Sequence, residues 1–227
     1  MDYPGKELEI FDTAKIFQKY IYLHTKKYLK DGILEVGAGL GSFSKNYIGK
    51  FNKICLSDLD EKNNLILKKR FSSKKNVRIS KEKIDETKLK FNTIIYLNVL
   101  EHIKEDNREI NLAISKLNSG GHLIILVPAH QKLYTKFDEA IGHCRRYDIN
   151  FFKENKYKGT KIKKVLYLDM IGYFLYFLNK MFFKEEVYPS KFKIFLWDKI
   201  FTPITIVLDY LSFYKFGKNI LCIFEKE

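Results

Sequence analysis

The amino-acid sequence predicts an α/β fold, with a mostly parallel sheet and helices on both of its faces. Short apolar runs alternate with amphipathic segments between residues 33 and 129, which is the rhythm of strand–helix–strand units. The run Phe91–Leu97 is almost continuously apolar, as expected for a strand that is buried on both faces. A glycine-rich turn at residues 37–41 follows the first apolar run, where such a sheet would bind a ligand.

The elements follow in order along the chain. Apolar side chains at helical spacing predict a helical segment in residues 8–30, which Gly32 ends. Amphipathic or lysine-rich stretches predict helices at 42–50, 61–71 and 105–117, and an aromatic helical region at about 170–213. Strands are predicted at Ile33–Val36, Lys53–Asp60, Asn76–Ser80, Phe91–Leu97, His122–Ala129, Lys163–Asp169 and Asn219–Lys226.

Composition limits the class of protein. With 227 residues, 46% of them hydrophobic, the chain can build one domain with a real core, and its composition excludes intrinsic disorder. Three widely spaced cysteines and the absence of metal-ligand spacing predict a reducing compartment and no metal site. We see no signal peptide, and charged residues interrupt the two most apolar windows, so we expect a cytoplasmic protein.

A glycine turn and an acid form the strongest motif. The turn Gly37-Ala38-Gly39-Leu40-Gly41 lets backbone N–H groups approach a ligand, and Asp58 ends the next strand, where a carboxylate accepts hydrogen bonds from a ribose. Together they predict an adenosine-containing cofactor. A nicotinamide oxidoreductase is the weaker alternative, because Ser42 stands where the dinucleotide fingerprint has its third glycine.

At these residues the sequence resembles the class I S-adenosylmethionine-dependent methyltransferases. Their acid followed by G-x-G-x-G is matched from Glu35 to Gly41 and their ribose-binding acid by Asp58, and the resemblance extends through Tyr96–Ile103 and Leu117–Ala129. It implies a Rossmann-like, seven-stranded sheet with an antiparallel last strand, S-adenosylmethionine as cofactor and S-adenosylhomocysteine as product. The adenine-binding acid that usually follows strand three has only imperfect candidates here, Glu82 and Asp85. The implied cofactor-binding residues are Glu35, Gly37, Ala38, Gly39, Gly41, Asp58, Leu59 and Asn98.

The segment Val127–Asp148 resembles a methyltransferase subfamily with a VPAxxxLYxxxDxxxGHxRRY stretch, often associated with sugar or cell-envelope biosynthesis. This implies an acceptor related to sugars or the cell envelope, and we expect O-methylation of a small or glycan-type acceptor that is anionic. His143 is then the preferred base and His102 the second candidate. The residues expected to bind the acceptor are Arg145, Arg146, Tyr147 and Tyr134.

A structural interpretation stays open for several of these residues. Arg146 and Tyr147 would then pack the segment against the sheet and pair with Asp138 or Asp148, while Glu101 and His102 would only shape their turn.

The chain is accordingly predicted as one domain, 1–227. It comprises an N-terminal helical segment (1–30), a cofactor-binding core (31–130), an acceptor-side loop (131–160) and a helical insertion (170–213) before the last strand. The aromatic side chains of the insertion fit a plain core, a lid, a homodimer face or a peripheral contact with the inner face of a membrane.

The net charge of +14 is concentrated in part at residues 62–90, where eleven basic and three acidic residues give +8. A basic face of this kind attracts nucleic acid, anionic lipid headgroups or phosphorylated substrates, and solvated surface lysines are the simpler alternative; we do not expect a nucleic-acid partner. A catalytically silent, RNA-binding module on the same frame remains the alternative from another class.

Overall fold

A seven-stranded mixed sheet forms the centre of the protein. The computed structural model describes residues 6–182 and 188–227; residues 1–5 and 183–187, which belong to the predicted segments 1–30 and 170–213, lie outside the described residues. The strand order is β3-β2-β1-β4-β5-β7-β6, with β7 antiparallel to its two neighbours and the other six parallel to one another. The strands are β1 (Ile33–Val36), β2 (Ile54–Ser57), β3 (Val77–Ser80), β4 (Phe91–Leu97), β5 (Leu117–Pro128), β6 (Thr160–Leu168) and β7 (Asn219–Lys226).

This topology confirms the fold class and the antiparallel last strand. The bounds of β1, β4 and β7 agree with the prediction. Strand β5 begins five residues earlier than predicted, because Leu117 already pairs with Phe91 before the register shifts. Gly120 has a φ of 72°, which accommodates this irregular start without a side-chain clash.

Helices cover both faces of the sheet. They are α1 (Lys6–Phe11), α2 (Lys15–Thr25), α3 (Glu61–Arg70), α4 (Asp106–Ser115), α5 (Lys136–Ala140), α6 (Ile149–Glu154), α7 (Met170–Phe182), α8 (Lys191–Leu196) and α9 (Thr202–Leu211). Alternate residues of one strand enter different cores: Ile95 belongs to the core that includes side chains of α2 and α3, and Ile94 to the core that includes side chains of α4 and α6. Burial on both sides explains why β4 is apolar along most of its length.

Two predicted helices are interrupted. The segment 8–30 divides into α1, α2 and a short 3₁₀ turn, and the predicted helix at 42–50 consists of two 3₁₀ turns instead. Side-chain hydrogen bonds account for the break between α1 and α2 and for the 3₁₀ turns at 42–50. Asp12, between α1 and α2, bonds to Ser42 and Arg70 across the chain. The Asn46 side chain donates to the Phe43 carbonyl oxygen, which competes with regular helix formation.

The helical insertion is joined to the N-terminal segment by buried carboxylates. Asp198, in a π-helical turn at Trp197–Phe201, accepts hydrogen bonds from the backbone N–H groups of Ile16 and Phe17, both at 3.0 Å. These N–H groups lie at the start of α2 and have no partner within that helix. Asp209 of α9 accepts from the Tyr20 hydroxyl of α2 at 2.9 Å, and also from the N–H of Met170 at the start of α7 at 2.9 Å.

Within 6–182 and 188–227, every helix falls short of the length or apolarity that crossing a membrane requires. The insertion nevertheless exposes many large apolar side chains, which are described with the proposed function below.

Candidate active site

The glycine turn after β1 packs directly against the end of β4. Gly37, Gly39 and Gly41 all have positive φ values, of 64°, 54° and 71°. A Cβ on Gly37 would lie 2.5 Å from Cγ2 of Val99, and one on Gly41 would lie 2.5 Å from the Phe71 ring. Glycine is therefore required here by backbone conformation and by space.

Asp58 joins this turn to the end of β2. Its carboxylate accepts from the N–H of Gly39 at 2.7 Å and from the N–H of Asp60 at 2.9 Å. Burial raises the pKa of Asp58 above its ordinary value, although these hydrogen bonds act in the opposite direction. Ala38 is buried, and Leu59 is 62% exposed. A carboxylate with a neighbouring free apolar side chain thus lies beside the glycine turn, as predicted.

Glu35 has a supporting position. Its Oε2 accepts from Ser44 Oγ at 2.6 Å and from the Tyr47 hydroxyl at 2.5 Å. Burial raises the pKa of Glu35 to about 7. Through this oxygen, Glu35 holds the segment after the glycine turn in place.

Asn98 ends β4 on the same edge of the sheet. It has a φ of 53°, its N–H donates to the Leu126 carbonyl at 2.8 Å, and the residue is exposed. The next residue, Val99, fills the space beside Gly37. The sheet edge therefore brings Asn98 next to the glycine turn, although 61 residues separate it from Gly37.

A cluster of three titratable side chains follows directly on β4. Glu101, His102 and His143 each offer a ligand-type atom, and these atoms all lie within 4.8 Å of one another. The rings of His102 and His143 meet edge to face, with centroids 4.7 Å apart. Burial raises the pKa of Glu101 to about 8; burial and the nearby His143 lower the pKa of His102 to about 4. We call these residues the Glu-His-His cluster.

Asp138 orients this cluster from behind. It is fully buried and accepts from His143 Nδ1 at 2.8 Å and from Arg146 Nε and Nη2 at 2.8 and 2.9 Å. Burial acts to raise the pKa of Asp138, but the His143 hydrogen bond and the Arg146 charge hold it well below its usual range. Tyr176 of α7 also donates to Asp138, and its ring lies 4.5 Å from the Arg146 guanidinium carbon.

The predicted acceptor-binding residues are bonded within the protein. Of the two partners that the sequence left open for Arg146, the structure selects Asp138, and Arg146 is buried. Arg145 donates to Asp106 at 2.6 Å but keeps 34% of its side chain exposed. The Tyr147 hydroxyl donates to Asp106, and Tyr134 donates to the His143 carbonyl. Arg146 and Tyr147 thus have the structural role that the sequence left open.

Sequence reasoning did not assign Asp138 and Tyr176 to the site. For Asp138 a signal existed, because Thr135 and Asp138 have the spacing of a helix capping box, which the structure contains. No signal pointed to Tyr176, which reaches Asp138 from α7, 38 residues away along the chain.

A sequence model of the family described as "Methyltransferase domain" matches residues 10–158, about two thirds of the chain. The chain belongs to this methyltransferase family. The match spans the glycine turn, Asp58 and the Glu-His-His cluster, and it argues against the alternative prediction of a nicotinamide oxidoreductase.

Solved structures share the fold of this methyltransferase. An S-adenosylmethionine-dependent methyltransferase from Clostridium acetobutylicum is 15% identical, with a TM-score of 0.63 over 97% of this chain and 98% of its own. Coclaurine N-methyltransferase, bound to N-methylheliamine and S-adenosylhomocysteine, is 13% identical, with a TM-score of 0.63 over 92% of this chain and 72% of its own. No curated protein sequence is similar enough to match.

The cofactor of this methyltransferase is S-adenosylmethionine, and the residues at the glycine turn fit it. Asp58 presents a carboxylate for a ribose, and Leu59 is an exposed apolar side chain beside it. Asn98 is exposed next to the turn, in position for a polar part of the cofactor. Glu82, a candidate for the adenine contact, pairs with Arg78 at 2.7 Å.

Proposed function

We propose that this methyltransferase methylates a hydroxyl oxygen of a small or glycan-type acceptor. The observation that carries the proposal is the histidine pair after β4, on the sheet edge that also carries the glycine turn, in which Asp138 orients His143 at 2.8 Å. An oxygen nucleophile must lose its proton on reacting, and an oriented imidazole is suited to accept a proton near neutral pH.

Each part of the site then has a role. S-adenosylmethionine, when bound, supplies a methyl group activated by a sulfonium. Asp58, the glycine turn and Asn98 position it, and alignment of this kind supplies a large share of the rate enhancement. His143 is the candidate base, and His102, whose ring contacts it, is the second.

The acceptor is proposed to be anionic and related to sugar or envelope chemistry. The resemblance of the segment 127–148 to its subfamily supports this, and so does the net charge of +14. Arg145 is the candidate contact, since part of its guanidinium side chain stays exposed while it bonds to Asp106.

The test is methyl transfer with isotopically labelled S-adenosylmethionine and a set of acceptors, comprising sugar phosphates, nucleotide sugars, lipid-linked sugars and matched amino sugars. Mass spectrometry and NMR locate the label. We expect a methyl ether on a hydroxylated acceptor, and no product with Asp58→Ala. Label on an amine nitrogen only, or on none of the hydroxylated acceptors, contradicts O-methylation.

We further propose that the helical insertion rests on an anionic membrane surface, at the inner face of the cytoplasmic membrane. One side of it packs on the core through Ile194, Trp197 and Leu175. Large side chains elsewhere on the insertion and just after it are exposed at 39–80% of their area, and together they are here called the apolar face: Phe174, Phe177, Leu178, Met181, Phe192, Phe195, Ile200, Ile204, Val207, Tyr210, Leu211, Phe213 and Phe216. An area of this kind is unusual for a surface in contact with water alone.

The charges around the apolar face favour a membrane as the occupant. Between residues 188 and 218 the acidic side chains are Asp198 and Asp209, and both are buried. Lysines at 191, 193, 199 and 215 are exposed. Apolar groups flanked by these exposed lysines complement anionic lipid headgroups, where each lysine contributes about 1 kcal/mol. A second copy of the same chain would bring like charges together instead.

A further inference from the structure

The Glu-His-His cluster has the composition and spacing of a metal site. The Nε2 atom of His143 lies 3.6 Å from Oε1 of Glu101, and all three ligand-type atoms lie within 4.8 Å of one another. With bonds of about 2.0–2.1 Å, neighbouring ligands of a tetrahedral zinc ion are roughly 3.4 Å apart. Small side-chain movements therefore suffice to close the three ligands around one cation.

Glu101 supplies a second, independent observation. Its side chain is completely buried, and among the described residues neither carboxylate oxygen has a hydrogen-bond partner. A buried carboxylate without compensation is costly, and proteins usually pair such groups or bind a metal with them. The positive charge of Arg146 acts to lower the pKa of Glu101, but its guanidinium gives both Nε and Nη2 to Asp138 and forms no hydrogen bond with Glu101.

The surroundings of the two histidines match those of metal ligands. A ligating histidine usually donates its other ring N–H to a carboxylate or a backbone carbonyl, which fixes the ring and its tautomer. His143 bonds through Nδ1 to Asp138, which leaves Nε2 directed toward Glu101. His102 hydrogen-bonds to the backbone of Gly142.

We propose that Glu101, His102 and His143 bind one divalent transition-metal cation, with zinc as the best-suited ion. Two imidazoles and one carboxylate favour zinc over magnesium, which prefers oxygen ligands. Three protein ligands leave a fourth position for water or an acceptor oxygen. The inference rests on the proposed function only in placing the acceptor here. There the cation would lower the pKa of the acceptor hydroxyl, whose proton would pass to solvent water as the oxygen takes the methyl group and S-adenosylhomocysteine leaves. His143 would then be a ligand rather than the base.

The test is direct zinc binding by the full-length protein after treatment with a chelator and dialysis. Isothermal titration with zinc chloride gives the stoichiometry and affinity, and cobalt(II) chloride gives a visible absorption spectrum that reports the coordination geometry and would reveal a thiolate ligand. We expect one zinc per chain. Glu101→Gln and His102→Gln should each weaken binding by at least about 100-fold, since outer partners of zinc ligands alone are worth about 10- to 100-fold.

Cys144→Ser is the matched control. Cys144 is exposed, and its Sγ lies 3.6 Å from the His102 carbonyl oxygen, so it tests whether a nearby thiol accounts for the binding. Circular dichroism tests whether each variant folds. If Glu101→Gln does not fold, His102→Gln alone measures the loss of a ligand. Unchanged affinity in His102→Gln, loss of binding in Cys144→Ser, or no zinc binding by the unmodified protein overturns the proposal. Methyl transfer is scored separately, so that zinc binding can hold while O-methylation fails, and the reverse.

Discussion

At the scale of single residues, Gly37 and Gly49 form a matched pair. The backbone at Gly37 has a positive φ, and a Cβ added there would clash with Val99. A Cβ added to Gly49 would have no atom within 4 Å. We expect Gly37→Ala to lower the free energy of unfolding by about 1–3 kcal/mol and to weaken S-adenosylhomocysteine binding. Gly49→Ala should change stability by less than about 1 kcal/mol. Urea denaturation and calorimetric titration measure both; equal effects of the two changes would argue against the packing explanation.

Glu35 predicts a pH dependence of stability. Its pKa in the folded protein is about 7, against 4.5 for the ordinary group, so the folded state retains a proton that the unfolded state loses over this range. The free energy of unfolding should therefore fall by about 3 kcal/mol as pH rises from 4.5 to 7.

Glu35→Gln should remove this part of the slope, while Ser44 and Tyr47 can still donate to the amide oxygen. Glu61→Gln, with a side chain that is 77% exposed, is the control and should keep the slope. Chemical denaturation at several pH values makes the comparison. An unchanged slope in Glu35→Gln would show that the buried carboxyl does not hold its proton.

At the scale of elements, the contact of Asp198 with α2 can be weakened in steps. Asp198→Ala leaves the N–H groups of Ile16 and Phe17 without their acceptor and should cost about 1–2 kcal/mol. Asp198→Asn keeps an acceptor oxygen and should cost less. Thermal and urea unfolding rank the two, and equal losses would mean that charge rather than the acceptor matters.

Some strands and helices could be predicted from the sequence, and others could not. Strands such as β4 and β7 were predictable because burial on both faces imposes a continuous apolar run. The break between α1 and α2 was not, because Asp12 is held by Ser42 and Arg70 from other parts of the chain. Local patterns do not record such long-range hydrogen bonds.

One part of the candidate site could likewise be predicted from the sequence, and another part could not. The glycine turn and Asp58 follow consecutive strands, so their meeting at one sheet edge follows from the predicted topology. The approach of His143 to Glu101 depends on how residues 130–148 fold back over that edge, where the Cys144 N–H donates to the Glu101 carbonyl at 2.8 Å. That path is irregular and leaves no periodic signal in the sequence.

At the scale of the whole molecule, the apolar face predicts membrane binding. The protein should co-sediment with vesicles that contain phosphatidylglycerol, more weakly with phosphatidylcholine alone, and less at high salt. Phe192→Ser combined with Phe195→Ser should reduce binding and leave stability nearly unchanged, because both side chains are more than half exposed.

Leu65→Ser, on an exposed position of α3, is the control and should bind vesicles normally. Sedimentation velocity without lipid separates the alternatives. A stable dimer that the Phe192→Ser and Phe195→Ser changes disrupt, together with no vesicle binding, would assign the apolar face to a second copy.

The bond between Asp198 and the start of α2 also has a consequence for synthesis on the ribosome. Asp198, which accepts the hydrogen bond from the Phe17 N–H, is synthesised 181 residues after Phe17. At about 5–20 residues per second, the nascent chain waits roughly 10–35 seconds before this helix start can be completed. During that interval the exposed apolar side of α2 is a natural place for a chaperone to bind, and slower translation would lengthen its exposure.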